Sequence, residues 1–283
     1  MPTPLLSPRY GAVTLIDTEV EFAHVVDQII SGAGPVAIDA ERASGFRYSQ
    51  RAYLIQIFRR GGGLHLIDPV PLTHSPHIAR LNNALRDEEW VIHASTQDLP
   101  CLREFGISPQ RLFDTELGGR LAGCERVGLG PLTESLLELT LAKEHSAVDW
   151  SFRPLHHEWL IYAALDVDVL LDLRDAVEKL LEAQGKLEWA KADFASILTA
   201  PPPTPRKDPW RRTSGVHTVR DRRALAIVRE LWSKRDEIAR EIDIAPGRLL
   251  NDSLIVALSL AQPKKMSDFI SIPQFARIKN ELQ

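Results

Sequence analysis

Three short stretches of the chain place oxygen-bearing side chains at spacings that let them meet. Asp39 and Glu41 stand two residues apart at the end of the first apolar run, Pro35-Val-Ala-Ile-Asp-Ala40. Strand alternation sends both carboxylates to one face, where two oxygen donors can converge on a cation. In Val91-Ile-His-Ala-Ser-Thr-Gln-Asp98 a buried strand runs out at His93, and Asp98 falls near the start of the next helix. In Tyr162-Ala-Ala-Leu-Asp166 the four-residue spacing aligns a phenol and a carboxylate on one helical face. Each stretch alone has an ordinary reading: a solvated strand edge, an acid at a helix start favoured by capping and the helix dipole, a surface pair. Gathered within ~4–6 Å, four carboxylates repel by about 4 kcal/mol per close pair at an effective dielectric of ~20. Such a cluster takes up a proton or binds metal. Oxygen ligands without Cys or His spacing select Mg²⁺ or Mn²⁺ over zinc.

The elements that must position these groups are legible as strands first and helices later. Short apolar strands are expected at 35–40, 52–58, 63–68 and 90–93, with a fifth at 111–114. Arg59-Arg-Gly-Gly-Gly63 reads as a hairpin turn between the second and third. Helical spacing covers Ser75 to Leu85 and Gln97 to Phe105, the latter closed by Gly106, and a long amphipathic helix is expected from Glu158 to Glu182. Meandering strands followed by strand–helix units predict a mixed sheet with helices on both faces, an α/β fold. No Gly-x-Gly-x-x-Gly turn follows the first strand, which disfavours a doubly wound dinucleotide fold.

Prolines 201, 202, 203, 205 and 209 mark a semi-rigid connector over 199–216. It divides an expected α/β domain over 1–198 from an all-helical one over 217–283, with helices at 220–241 and 249–260 and shorter pieces at 267–269 and 273–282. Charge divides at the same place. The net charge of −4 hides a C-terminal part from residue 206 with 16 basic against 10 acidic residues, and an N-terminal part at −10. The acidic part needs bound cations to approach a polyanion; the basic part attracts one directly. A basic surface on Arg220, Arg222, Arg223, Arg229, Lys234, Arg235, Lys264 and Lys265 is the expected phosphate-contacting face, and a solvated helix face is its alternative. With 44% hydrophobic and 25% charged residues, no bilayer-length apolar run, no signal-like start and only Cys101 and Cys124, the chain reads as a cytoplasmic protein.

Taken together, the motifs resemble the three exonuclease motifs of the DEDD family, and Tyr162 in place of a histidine marks the DEDDy branch. Tyr53-Leu-Ile-Gln-Ile57, Phe105-Gly-Ile107, Phe113-Asp-Thr115 and Asp149-Trp-Ser-Phe-Arg-Pro-Leu155 make the surroundings similar to the ribonuclease D family over residues 14–198, and the tail is similar to its helicase-and-RNase-D C-terminal (HRDC) domain. The resemblance implies a ribonuclease H-like fold and two divalent cations, Mg²⁺ or Mn²⁺, held by Asp39, Glu41, Asp98 and Asp166, with Tyr162 orienting the attacking water. It implies a monomeric 3′→5′ exoribonuclease releasing nucleoside 5′-monophosphates from RNA 3′ ends, tRNA precursors among them. Against the family pattern the tail is short and has no second copy of the domain, so a fragment or an abbreviated last helix is expected. A DNA-directed exonuclease is the alternative on the same metal chemistry, with single-stranded DNA as partner; a non-catalytic binding relative ranks last, because all four acids and the tyrosine are present.

Residues near the motifs carry lesser expectations. His93 could touch substrate but equally be structural. His156 and His157 could contact phosphate or sit in an exposed first helical turn. Phe46 or Tyr48 could stack on a terminal base or pack within their loop, and Arg47 or Arg51 could offset acidic charge along the substrate path.

Overall fold

The computed structural model describes residues 2–10, 13–141, 148–202, 204 and 206–273. It divides into two units: Met1–Ala43 with Gln50–Pro201, and Ser44–Ser49 with Pro202–Gln283.

The first unit is built on β1 (Thr3–Leu5), β2 (Leu15–Ile16), α1 (Glu19–Ser31), β3 (Val36–Arg42), β4 (Ala52–Arg59), β5 (Gly63–Ile67), α2 (His77–Leu85), β6 (Glu89–Ile92), α3 (Leu99–Phe105), β7 (Arg111–Asp114), α4 (Thr115–Leu121), α5 (Leu129–Leu137), β8 (Leu139–Leu141), α6 (His157–Asp168), α7 (Leu170–Ala183) and α8 (Leu187–Thr199). Six strands form one mixed sheet in the order β2-β5-β4-β3-β6-β7. β3 is antiparallel to β4 and parallel to β6, and β6 is parallel to β7. The mixed α/β fold expected from the strand-then-helix pattern is the one observed.

Burial follows the sequence pattern. All eight residues of β4 are buried, as befits a strand flanked on both sides and covered by helices. In β3 the residues alternating with the acids, Ile38 and Ala40, are buried on the opposite face. A separate parallel pair, β1 with β8, was not expected from the sequence, where three-residue strands carry no detectable alternation.

The long helix expected over 158–182 is instead two, broken at Val169. Each half has its own partners: α6 packs on β3, β4 and β5, and α7 on α4, α5 and β6. Asp168 at the break is fully buried and receives the Arg9 backbone N–H at 2.7 Å and its Nε at 2.6 Å. The apolar stripe is continuous through the bend, so periodicity alone reads it as one rod.

In the second unit, two 3₁₀ turns at Pro209–Arg212 and Val216–Thr218 precede α9 (Arg222–Glu241), α10 (Pro246–Leu249), α11 (Asp252–Ala261) and α12 (Met266–Ile270). Trp210, Val219, Ala224, Val228 and Ile255 share one buried cluster. The connector expected over 199–216 therefore gives way to packed structure by residue 209, because Trp210 is apolar enough to join the core despite the prolines around it. Of the helix expected over 273–282, residues 274–282 lie outside the described residues.

Ser44–Ser49 is held by this unit through specific bonds. The Tyr48 hydroxyl lies 3.1 Å from an Asp236 carboxylate oxygen and accepts from Arg240 at 3.0 Å. Ser49 N–H donates to Asp243 at 2.8 Å, Ala245 N–H to the Phe46 carbonyl at 2.9 Å, and Arg248 Nε to the Gly45 carbonyl at 2.8 Å. The Arg248 guanidinium also lies 3.9 Å from the centroid of the Phe46 ring. Phe46 and Tyr48 are thus both engaged in packing. Of the expected basic face, Arg235 is buried and bonded to Asp252 and the Leu250 carbonyl, which removes it from any phosphate surface. Arg220, Arg222, Arg223, Arg229, Lys234, Lys264 and Lys265 are exposed.

Candidate active site

The parallel pairing of β3 with β6 ends at Ala37–Val91, and β3 runs on beyond it through Asp39 and Glu41. The acids therefore project at the carboxyl end of the parallel strands, where open α/β sheets leave a crevice. Between Glu41 and Arg42 the register with β4 shifts, a bulge at the strand's end. After β6 the chain turns at Ala94, with φ of 56°, and returns to the start of α3 at Asp98.

Asp98 occupies the cap position of α3 but makes no side-chain capping bond. Its carboxyl instead hydrogen-bonds Asp39 and lies 3.9 Å from Arg42 Nε. From the helical side, α6 supplies Tyr162 and Asp166, and the Tyr162 hydroxyl donates to the Asp166 carboxylate. Carboxylate oxygens of Asp39, Glu41 and Asp166 all lie within 4.8 Å of one another. Asp98 stands outside that triplet and adjoins it through Asp39.

Electrostatics shows what the cluster lacks. Burial raises Asp39, Glu41 and Asp166 above the usual carboxylate range, and for Glu41 the charges of Asp39, Asp166 and Asp98 add to it. Asp98 is pushed up to about 8 by burial and then by Asp39, with Arg42 opposing. At neutral pH it keeps its proton and donates it to Asp39. Burial, followed by the charges of Asp166, Glu41 and Asp39, drives the Tyr162 phenol well above its ordinary value. Such a phenol is a hydrogen-bond donor and no base. A cluster of acids held partly protonated by burial, and for all but Asp39 by mutual repulsion as well, is relieved by cations. The donor set, all oxygen and three-sided, fits a hard divalent ion. Gln56, paired with Asp39 across β3–β4, presents a fully buried amide with no hydrogen-bond partner among the described residues. This is a further oxygen-and-nitrogen group on the same sheet face.

Two residues that spacing alone assigned no role hold this geometry. Asp114, buried at the end of β7, accepts from the N–H groups of Ala94 at 3.2 Å, Ser95 at 2.8 Å, Glu116 at 3.0 Å and Leu117 at 3.0 Å, and from the Ser95 hydroxyl at 2.7 Å. One carboxylate thus caps α4 and pins the loop that carries Asp98. The signal was an Asp followed by Thr-Glu at a strand end, a capping pattern. Asp114→Ala strands these buried donors and is expected to cost about 3–5 kcal/mol, lowering the melting temperature by roughly 10 °C. A urea or thermal unfolding curve within ~1 kcal/mol of the parent would reject that role. Arg153 is the second. Its Nε and Nη2 bind the two oxygens of buried Asp68 at 2.6 and 2.8 Å, Nη2 also reaches the Tyr53 carbonyl at 2.8 Å, and Nη1 donates to the carbonyls of Trp150 and Phe152 at 2.7 and 2.8 Å. Five bonds occupy all five guanidinium donors and fix the loop leading into α6.

The lesser candidates separate. His93 Nδ1 bonds the Thr115 hydroxyl at 2.9 Å, and burial lowers its pKa, leaving a neutral ring in a structural bond. His156 is exposed, with its ring between those of Phe152 and Trp159, while His157 is exposed in the first turn of α6. Arg51 lies over the Tyr53 ring, 4.9 Å from its centroid. Cys101, beside Asp98, is pushed up to about 12 by burial and is inert.

Comparison with known proteins places the site in context. Residues 13–182 match a family of 3′–5′ exonucleases, and residues 224–282 match the HRDC domain. Ribonuclease D of Gluconacetobacter diazotrophicus is 32% identical over 235 residues, 81% of this chain and 58% of that protein. A solved protein from Bifidobacterium adolescentis superposes with a TM-score of 0.92 at 46% identity, covering 96% of this chain and 67% of that one. Escherichia coli RNase D, described as an exoribonuclease involved in structured RNA processing, gives 0.70 at 26% identity, covering 96% and 73%. The chain spans 44–65% of the length of the first three curated relatives it matches.

Proposed function

Since the chain belongs to the 3′–5′ exonuclease family and carries an HRDC domain, we propose that it is a metal-dependent 3′→5′ exoribonuclease of the ribonuclease D kind. The observation that carries this reading is the convergence of Asp39, Glu41 and Asp166 within 4.8 Å, with Tyr162 bonded to Asp166. The family uses divalent metal ions. In this reading Asp39, Glu41, Asp98 and Asp166 hold two of them, Mg²⁺ or Mn²⁺. These ions supply Lewis acidity at the terminal phosphodiester and lower the cost of deprotonating water.

The chain's own groups do the rest. Tyr162 offers a hydroxyl beside Asp166, placed to orient the attacking water; its raised pKa makes it a positioning donor. Water adds its oxygen to phosphorus as the bond to the penultimate 3′ oxygen breaks in line. The water's proton is lost to solvent, the leaving oxygen takes one up, and a nucleoside 5′-monophosphate departs. Asp114 and Arg153 act through the backbone, holding the Asp98 loop and the start of α6 in register.

The substrate is RNA 3′ ends, with tRNA precursors the proposed targets and the chain acting as a monomer with domains over 1–198 and 217–283. DNA-directed cleavage on the same chemistry is the competing reading. Three 5′-labelled substrates separate them: a 3′-extended tRNA, a single-stranded RNA and a DNA strand of the same sequence, each with Mn²⁺ or Mg²⁺ and with EDTA. RNA shortened by single nucleotides, at least ~10-fold faster than DNA and silent in EDTA, is expected. Internal fragments, a preference for DNA or activity in EDTA would each overturn the proposal.

A further inference from the structure

At the start of α6, the helix that carries Tyr162 and Asp166, the first unit has an aromatic group whose outer rings, Phe152 and His156, are exposed. Phe152 is 48% exposed and stacks parallel on exposed His156, with centroids 5.5 Å apart and planes inclined by 3°. His156 in turn meets Trp159 edge-on at 4.6 Å, and Trp159 rests against the buried Trp150 at 5.8 Å. The group is held firmly. Trp150 anchors it in the interior, and the Arg153 guanidinium fixes the carbonyls of both Trp150 and Phe152.

Its position is set by α6. Trp159, Tyr162 and Asp166 stand at i, i+3 and i+7, one stripe of the helix. At 1.5 Å per residue Trp159 lies ~10 Å along the axis from Asp166, and His156 ~15 Å. With a rise of about 3.4 Å per stacked base, a strand that has its terminal phosphodiester at the acids and leaves them along α6 towards its first turn would bring its next few bases to these rings. The unit's charge sharpens the point. Residues 1–205 carry a net charge of −10, which repels phosphates, so a hold on RNA here gains from contacts that do not depend on charge. Aromatic stacking on bases is such a contact, tolerant of sequence because every base has a π-face.

We infer that Phe152, His156 and Trp159 form a stacking platform for the unpaired bases two to four positions from the 3′ end of a single-stranded RNA. The inference rests on the exonuclease reading above and adds a substrate-positioning surface to it. The platform selects frayed or single-stranded 3′ ends over paired ones, and its hold is nearly independent of salt.

The test is a cycle of ring deletion against base deletion. KM and kcat are measured for a single-stranded RNA octamer and for the same octamer lacking bases at the second to fourth positions from its 3′ end. The parent chain, Phe152→Ala, His156→Ala and Trp159→Phe are compared. Phe152→Ala and His156→Ala are expected to raise KM for the intact octamer roughly 10-fold each with kcat changed far less, and to leave the slope of log KM against log salt unaltered. On the abasic octamer the parent should lose a similar factor and the alanine variants little more, since ring and base act as one contact. Trp159→Phe, which keeps a ring, should stay close to the parent. Equal KM values for intact and abasic strands, or alanine variants within twofold of the parent on the intact octamer, would overturn the platform. A parent chain that releases no mononucleotides at all would instead overturn the exonuclease reading.

Discussion

Asp39→Asn is expected to slow release of 5′-mononucleotides from RNA by roughly a thousandfold or more, while the metal-free protein melts at the same temperature or slightly higher. The two halves of that result have one cause. Asparagine keeps the size of the side chain but removes a charge that acts on each of the other three acids. Asp39 adds to the repulsion that raises Glu41, Asp98 and Asp166, so its neutralisation relieves the apo fold. The same change takes away the oxygen donor that lies within 4.8 Å of both Glu41 and Asp166, so divalent ions lose a shared ligand. Asp17→Asn, at an exposed acid on the same unit, is the control and should behave as the parent. Turnover by Asp39→Asn within tenfold of the parent, measured with Mn²⁺ on an RNA shown to be a substrate, would remove the acidic cluster from the mechanism.

Metal should stabilise the fold, and more so as pH rises. In the metal-free chain Asp98 keeps its proton up to about 8, against an ordinary value of 3.8. Between those limits the folded chain holds a proton that the unfolded chain has released, so metal-free stability falls as pH increases. Divalent ions compete with that proton for the same oxygens, so their contribution grows over the same range. Mn²⁺ at about a hundred times its Kd contributes ~2.7 kcal/mol, a rise in melting temperature of roughly 5–10 °C for a chain of this size. Scans with EDTA and with Mn²⁺ at about pH 6 and about pH 8 test this. A gain that is absent, or larger at the lower pH, would contradict it.

How far the sequence discloses this arrangement depends on the range of the signal. Alternation in Val-Ala-Ile-Asp-Ala-Glu-Arg42 sets both acids on one face, and the i, i+4 spacing of Tyr162 and Asp166 does the same on a helix. Both are local and legible. Convergence of the three segments is not local. It follows from β6 pairing parallel to β3 and from α6 lying across β3, β4 and β5, which only the assembled sheet determines. Asp98 carries an ambiguous signal, since an acid at a helix start caps helices in general; the structure resolves it by leaving the carboxyl unbonded to α3 and turned to Asp39. Asp114 and Arg153 were legible as residue types but not as hubs, because their bonds reach 19 and 100 positions along the chain, to Ser95 and Tyr53. The break at Val169 was hidden by a hydrophobic stripe that both helices share. Phe46 and Tyr48, aromatics in a loop just past Glu41, look like base-stacking residues by type, yet their partners lie near residue 240. The exposed rings beside the start of α6 belong instead to Phe152 and His156.

The clasp on Ser44–Ser49 bears on how such a chain can be taken apart or recombined. The polypeptide contributes to the helical unit twice, once through six residues early in the chain and again after Pro201. A protease nick among the prolines would therefore sever the covalent tether without freeing the fragments, which stay joined through Tyr48, Ser49 and Phe46 and should co-elute until denatured. Grafting a foreign helical tail at that junction is likewise an incomplete exchange. The graft brings no match for the inherited Gly-Phe-Arg-Tyr-Ser49 segment unless its own loop travels with it, so a full exchange of the helical unit in this chain takes two crossovers instead of one.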